Sequence, residues 1–362
     1  MLNLEDMVAL ALGGGREIMA VRAAGFDTQT KLDGSPVTIA DQRAEAIIEA
    51  GLAKLAPGVP MIGEEACEDG RIPECGARWF CVDPLDGTRG FAKGGDEFTV
   101  NIALVENGEA IMGVVYAPAT GELYAGEPGR AVRGQCDPKT ARLTSALTPI
   151  ATQSEVPARW RIIASENSGR NPKTEAFVTA LNGLPAHASS SIKFSRLAEG
   201  AADLYPRFGN VNEWDAAAGH AVLSAAGGGV MRLDGTPLRY GQTPGDFLVR
   251  GFIAFASAAA ASAARNARSV STCTSGVSAN ITRMSSGALA NAWRAASTAW
   301  AVPRRSLCTN IRALGAIPRA AAETAALADC NARKTKAAPC VIAALIRPEG
   351  FEPRPLHLSM DA

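Results

Sequence analysis

Three apolar runs in residues 98–126, FTVNIALVE, AIMGVVYA and ELYAG, are separated by turn signals at Asn107-Gly108 and Thr120-Gly121. Asn-Gly between alternating apolar runs favours a tight hairpin, so this segment reads as an antiparallel meander. Shorter strands are expected at residues 60–63, 79–82, 161–165, 230–233 and 252–255, and in the string ADLYP. Helical spacing marks residues 4–24, 173–181, 192–199 and 214–227, and Thr38-x-x-Asp41 opens a further helix through Lys54 in the capping-box pattern. Strands grouped in meanders, with helices in separate layers, predict a layered α/β sandwich rather than a simple βαβ series.

Gly13, Gly14 and Gly15 interrupt the first helical pattern, each costing about 1 kcal/mol against Ala. A phosphate-cradling loop is one reading. No Lys-Ser/Thr follows and no strand precedes, so close helix packing or a bend is expected instead. Lys31 to Pro36 reads as a polar loop.

Composition divides the chain near residue 257. All four Tyr and ten of the eleven Phe precede Ala258, whereas the last 105 residues hold 29 Ala. Charge divides at the same place, from net −8 before Ala258 to net +8 after it, although the whole chain is neutral. One unit over residues 1–257 is expected, with an Ala/Arg-rich extension over 258–362 that is unstructured or incidental. That extension is either a genuine tail, whose basic charge could bring it to a membrane surface, or a reading frame running past its natural end.

The neutral total gives no support for a nucleic-acid binder, which would normally show a basic stripe, and no apolar run reaches the ~18 residues of a membrane helix. Eight Cys show neither a CxxC pair nor metal-type spacing with the three His, and read as reduced thiols. An acidic N-terminus without an export signal makes the cytoplasm the expected location, and the tail's charge leaves peripheral association on the inner face of the membrane open.

Carboxylates cluster at the ends of apolar strands. Glu64 and Glu65 follow PMIG, Asp83 and Asp86 follow WFCV in the string D-P-L-D-G-T, and Asp215 stands at the start of a helix. Pro84 fixes its own φ, so a turn just after Asp83 is expected to bring Asp83, the Leu85 carbonyl and Asp86 toward one point. Three converging oxygens suit a hard cation such as Mg²⁺. Gly87 lets a phosphate approach the backbone, and Thr88 adds a hydroxyl. With Glu64 and Asp215 folded against this turn there is carboxylate enough for two cations, which together can activate a water and stabilise a leaving oxygen. Taken singly, Asp41 is equally a capping acid and Asp215 a first-turn carboxylate.

The ordered set Asp41, Glu64-Glu65, Asp83-Pro84-Leu85-Asp86-Gly87-Thr88 and Trp214-Asp215-Ala216-Ala217-Ala218 resembles the signature of the inositol monophosphatase superfamily of lithium-sensitive, Mg²⁺-dependent phosphatases. Within it, SSIKFSRLAEGAADLYPRFG and NEWDAAAGHAVLSAAGG are most similar to the CysQ-type 3′(2′),5′-bisphosphate nucleotidases. The resemblance runs from about residue 4 to 255. It implies an αβαβα sandwich of the sugar-phosphatase kind. It implies that Glu64, Asp83, the Leu85 carbonyl, Asp86 and Asp215 hold two or three Mg²⁺, that Gly87 and Thr88 bind the scissile phosphate, and that Asp41 with Thr88 orients the attacking water. Ser190, Ser191 and Lys193, with Arg207, match the nucleotidase subgroup and would meet a second phosphate or the nucleotide; the alternative for the two cations is solvated surface charge.

The expected activity is hydrolysis of the 3′-phosphate of adenosine 3′,5′-bisphosphate, recycling a by-product of sulfate assimilation. Alternatives are an inositol-phosphate or histidinol-phosphate phosphatase and a catalytically silent nucleotide-binding regulator. Monomer and homodimer are equally open.

Overall fold

Asn3 begins the first helix by accepting the Asp6 N–H while Asp6 accepts the Asn3 N–H, a reciprocal cap that satisfies two otherwise orphaned donors. That helix, α1 (Leu4–Ala24), leads to the paired strands β1 (Thr28–Thr30) and β2 (Pro36–Thr38), and Thr38 then caps α2 (Ile39–Leu55) with Asp41 as its box partner. The computed structural model describes residues 2–30, 36–165, 171–243, 245–267, 311–312 and 345–346. The loop expected at residues 31–36 falls outside them, except that Pro36 stands in β2.

The large sheet follows. Its strands are β3 (Met61–Gly63), β4 (Arg78–Asp86), β5 (Thr99–Glu106), β6 (Glu109–Ala117), β7 (Glu122–Glu127), β8 (Arg130–Asp137), β9 (Arg142–Leu143) and β10 (Thr148–Pro149). The order is β10-β8-β7-β6-β5-β4-β3, with β9 on β8, and only the β3–β4 pair is parallel. Short helices α3 (Glu64–Glu68) and α4 (Thr88–Phe91) leave the ends of β3 and β4. The meander lies where the turn signals put it, with both Asn107 and Gly108 at positive φ.

Past β11 (Arg161–Ala164) and α5 (Pro172–Ala180), the chain builds a second sheet with β12 (Leu184–His187), α6 (Ile192–Ala198), β13 (Leu204–Arg207), β14 (Val211–Asn212), α7 (Ala217–Ala225), β15 (Gly229–Arg232), β16 (Leu248–Val249) and β17 (Phe252–Phe255). The second sheet runs β12-β11-β13-β17-β15, and β14 pairs separately with β16. A last helix, α8, covers residues 258–267.

Side-chain alternation along the strands sorts these elements into five layers. Phe80, Val82, Ile102, Leu104, Val114 and Tyr116 face α1 and α2. Trp79, Cys81, Ala103, Val105 and Val115 face α6 and α7, which also pack on Ile163, Tyr205, Val230 and Phe252 of the second sheet. The outer face of that sheet, Ile162, Leu204, Met231 and Ile253, is covered by Phe177 of α5 and by Ala260, Ala264 and Ala267. The αβαβα sandwich is therefore present. Close packing also accounts for the glycines of α1, since a Cβ on Gly15 would come within 2.4 Å of the Tyr116 ring.

The body extends past the compositional boundary at residue 257. Alanines that look too small for a core reach this one because their size lets α8 lie close against larger neighbours, and all three are at most 4% exposed. A first compact unit spans Met1–Ser271 and a second Thr272–Ala362, within which Ile311–Arg312 pairs in parallel with Leu345–Ile346. Apart from those four residues and α8, the extension expected to be unstructured lies outside the described residues. Among these no helix is long and apolar enough to cross a membrane.

Candidate functional site

The D-P-L-D string does not turn after Asp83. Strand β4 continues through it, with Asp83 opposite Asn101 and Asp86 opposite Thr99, so three steps on β4 match two on β5. This bulge forms where Pro84 has no N–H to give the ladder, and Asp83 Oδ1 instead accepts the Leu85 N–H at 3.0 Å. Its consequence is directional. Residues three apart on a regular strand point to opposite faces, whereas the bulge puts both aspartates on the face that carries Thr99 and Asn101.

From the other side of that layer comes Asp215. It lies in the turn ahead of α7 rather than in its first turn, and its Oδ2 accepts the Asn212 N–H at 2.7 Å. Trp214 anchors the turn, buried against Phe247 with ring centroids 5.9 Å apart. Carboxylate oxygens of Asp83, Asp86 and Asp215 all lie within 4.8 Å of one another. Glu64, the first residue of α3, stands outside that trio but close enough for its charge to act on Asp83 and Asp215.

Three carboxylates so placed resist ionisation together. Burial, then the charges of Glu64, Asp86, Asp215 and Asp41, holds the Asp83 carboxyl well above the usual range. Burial also raises Asp86, against the opposing influence of Lys193 and the Ser191 hydroxyl. Asp215 is pushed up to about 8, by burial first and then by Asp86 and Glu64. Asp83 Oδ2 is buried with no hydrogen-bond partner. An acid cluster with an orphaned oxygen fits a divalent cation, which supplies the missing charge and accepts oxygen ligands.

Asp41 is only 1% exposed and does two jobs. One oxygen, Oδ2, takes both the N–H and the hydroxyl of Thr38 at 2.8 Å, and the other takes the Thr88 hydroxyl at 2.9 Å. The Leu85 carbonyl lies equally near that hydroxyl, at 2.9 Å. The capping acid and the site residue are thus the same carboxylate. Gly87 precedes α4 at φ 100°, a left-handed conformation that Gly adopts freely, and a Cβ there would lie 2.9 Å from the Glu97 carbonyl.

The remaining expected contacts come from the second half of the chain. Ser190 has φ 52° and a buried hydroxyl without a hydrogen-bond partner. Ser191, 2% exposed, lies 3.0 Å from Asp86 Oδ2 and 2.8 Å from the Asp215 carbonyl, and accepts the Asn101 amide N–H at 2.9 Å. Lys193 is 3% exposed rather than solvated. It donates to the Ser190 carbonyl, lies 5.1 Å from the centroid of the Tyr205 ring, and is pushed down to about 8 by burial, with Asp86 opposing. Arg207 ends β13 and its charge acts on both Asp86 and Asp215.

Sequence reasoning missed Asn101, Tyr205 and Glu45. Asn101 is a polar residue inside the apolar run FTVNIALVE, and that interruption was an available signal. Glu45 gave none, being one more acid on an amphipathic helix. Cys67, Cys75, Cys81 and Cys136 are free thiols, and burial raises each of them.

A family model described as the inositol monophosphatase family matches residues 4–272. The 3′(2′),5′-bisphosphate nucleotidase CysQ of Escherichia coli is 39% identical over 254 residues, 69% of this chain and 98% of that protein. Its counterpart from Buchnera aphidicola is 35% identical over 257 residues, 70% of this chain and 93% of the other. Among solved structures, CysQ from Bacteroides thetaiotaomicron is 33% identical with a TM-score of 0.57, covering 70% of this chain and 97% of that one. An inositol monophosphatase from Anabaena shares the fold at 23% identity, with a TM-score of 0.56 over 74% of this chain and 95% of its own. The chain belongs to the inositol monophosphatase family. It is an enzyme of the phosphoric monoester hydrolase class.

Proposed function

We propose that the chain is a Mg²⁺-dependent 3′(2′),5′-bisphosphate nucleotidase that removes the 3′-phosphate of adenosine 3′,5′-bisphosphate, giving AMP and phosphate. The observation that carries the metal chemistry is the meeting of Asp83, Asp86 and Asp215 within 4.8 Å, with one Asp83 oxygen unpartnered. Similarity of 35–39% to CysQ nucleotidases over most of their length supports the substrate class.

Glu64, Asp83, the Leu85 carbonyl, Asp86 and Asp215 would hold the Mg²⁺. When bound, such ions neutralise phosphoryl oxygens and make a water nucleophilic near neutral pH. Thr88 donates its hydroxyl proton to Asp41, which turns the Thr88 oxygen so that it can accept a hydrogen bond from the attacking water; as the water gives up its proton to that oxygen, the hydroxyl's own proton passes to the Asp41 carboxylate. Gly87 leaves space for phosphate against the backbone at the start of α4. Lys193 and Arg207 place positive charge beside the acids, where a substrate with a second phosphate needs it. Ser191 acts on the acids themselves, through Asp86. Lithium sensitivity, action in sulfate assimilation and a cytoplasmic location go with this reading.

A phosphate-release panel tests it, with adenosine 3′,5′-bisphosphate, inositol 1-phosphate and histidinol phosphate in Mg²⁺, in chelator, and in millimolar Li⁺. The bisphosphate should be the fastest substrate, chelator should stop the reaction, and Li⁺ should slow it. Faster release from inositol 1-phosphate or histidinol phosphate reassigns the substrate, and no release from any of them makes the chain a silent binder.

A further inference from the structure

Helix α3 starts at Glu64 without a side-chain cap of its own. Its N-cap is Gly63, which has no side chain to accept the first free N–H groups. Those groups are taken by a residue about twenty positions earlier: Glu45 Oε2 accepts the Glu65 N–H at 2.9 Å and Glu45 Oε1 accepts the Ala66 N–H at 2.8 Å. The glycine follows from this arrangement, because a Cβ at residue 63 would stand 2.6 Å from the Glu45 carboxylate. Glu45 is 2% exposed. It lies one helical turn beyond Asp41 on α2, so that one helix face sends Asp41 to Thr88 and Glu45 to the turn that begins with Glu64.

We propose that Glu45 is a positioning residue for Glu64, fixing the first turn of α3 so that the Glu64 carboxylate is aimed at the trio of aspartates. The assignment rests on the cation reading of that trio. Burying a carboxylate is costly, and a local Ser or Asp cap would satisfy one of these N–H groups without it. What a local cap cannot do is tie the direction of α3 to the helix that also orients Thr88.

Calorimetric titration with Mg²⁺ alone, on the full chain, tests the assignment without relying on turnover. Glu45→Gln keeps the volume but turns an amide N–H toward one of the two donors, and Mg²⁺ affinity should fall at least tenfold. Glu45→Asp, charged but one methylene shorter, should fall between this and wild type. Leu52→Ala, a core change on the same helix, should lower the unfolding temperature while Mg²⁺ affinity stays within twofold. A Glu45→Gln protein that binds Mg²⁺ as wild type does overturns the positioning role, as does equal weakening by Leu52→Ala. If Glu45→Gln does not fold, Glu45→Asp decides in the same way. Wild-type protein that binds no Mg²⁺ overturns the cation reading itself, and this assignment with it.

Discussion

The two sheets contribute opposite kinds of chemistry to one site. From the large sheet and its helices come Asp41, Glu64, Asp83 and Asp86, all acidic and all carried by the first quarter of the chain. From the second half come Ser190, Ser191, Lys193 and Arg207, hydroxyls and cations at the ends of α6 and β13. Asp215 crosses from the second half to join the acids. The acids stand close together because a local bulge aims two of them the same way. The hydroxyls and cations reach them only through the packing of α6 and α7 between the sheets, and Ser191 and Lys193 are buried there. The pairing of Asp83 and Asp86 is thus a property of local chain geometry, whereas the arrival of Asp215 and of the compensating hydroxyls and cations is a property of the assembled layers.

Substitutions in the acidic half should have the largest effect. Asp83→Asn or Asp86→Asn is expected to lower kcat at least a hundredfold, about 2.7 kcal/mol of barrier, while thermal unfolding of the metal-free protein stays unchanged or rises, since a buried charge is gone. Residual activity above roughly a tenth at saturating Mg²⁺ would remove these residues from the metal site.

The outer layer of the second half gives the next largest. A chain ending at Ser257 lacks α8 and uncovers Ile162, Leu204, Met231 and Ile253, and should lose about 2 to 4 kcal/mol in urea unfolding. One ending at Thr272, where the family match stops, should keep the stability and kcat of the full chain. Equal stability of the two truncations would mean that α8 adds nothing.

Within the compensating half, Lys193→Ala and Arg207→Ala should raise KM for the bisphosphate about tenfold or more, and for a simple monophosphate less, because a charged hydrogen bond is worth about 1.5 to 3 kcal/mol. Equal losses on both substrates would make these residues general supports of the acids. Ser191→Ala should lower kcat/KM several-fold on both substrates alike, as Asp86 loses a hydroxyl that no substrate replaces. A selective effect on the bisphosphate would place Ser191 in the substrate pocket instead.

The last expected effect, on stability rather than on turnover, lies in α7. Burial, and then Arg239, pushes His220 down to about 4 from 6.5, and its Nδ1 lies 2.9 Å from the Tyr240 hydroxyl. The unfolded chain therefore takes up a proton there before the folded one does. Stability should fall as pH drops from 6.5 toward 4, with a slope of at most about 1.4 kcal/mol per pH unit from this group. His220→Gln should flatten the slope by that amount in denaturant titrations across the same window. An unchanged slope would mean that other groups set it.

Apart from what the family resemblance implied, what could be read from the sequence was local. The hairpin at Asn107-Gly108, the capping box of Thr38 and Asp41, and the set Asp83, Asp86, Gly87 and Thr88 each depend on residues within a few positions of one another, where backbone geometry leaves few choices. Strand β8 was less legible, because RAVRGQCD carries little apolar signal and is held by its ladder to β7 at the sheet's side. Tertiary structure alone decided that Pro84 makes a bulge and not a turn, since β5 continues to pair on both sides of it. It alone joined Asn101 to Ser191 and Glu45 to α3, across 90 and about twenty residues, and enlisted the alanines of α8 as core. Sequence spacing encodes which way a side chain leaves its own helix or strand. It does not encode which distant side chain will be there to meet it, because that depends on how whole layers pack.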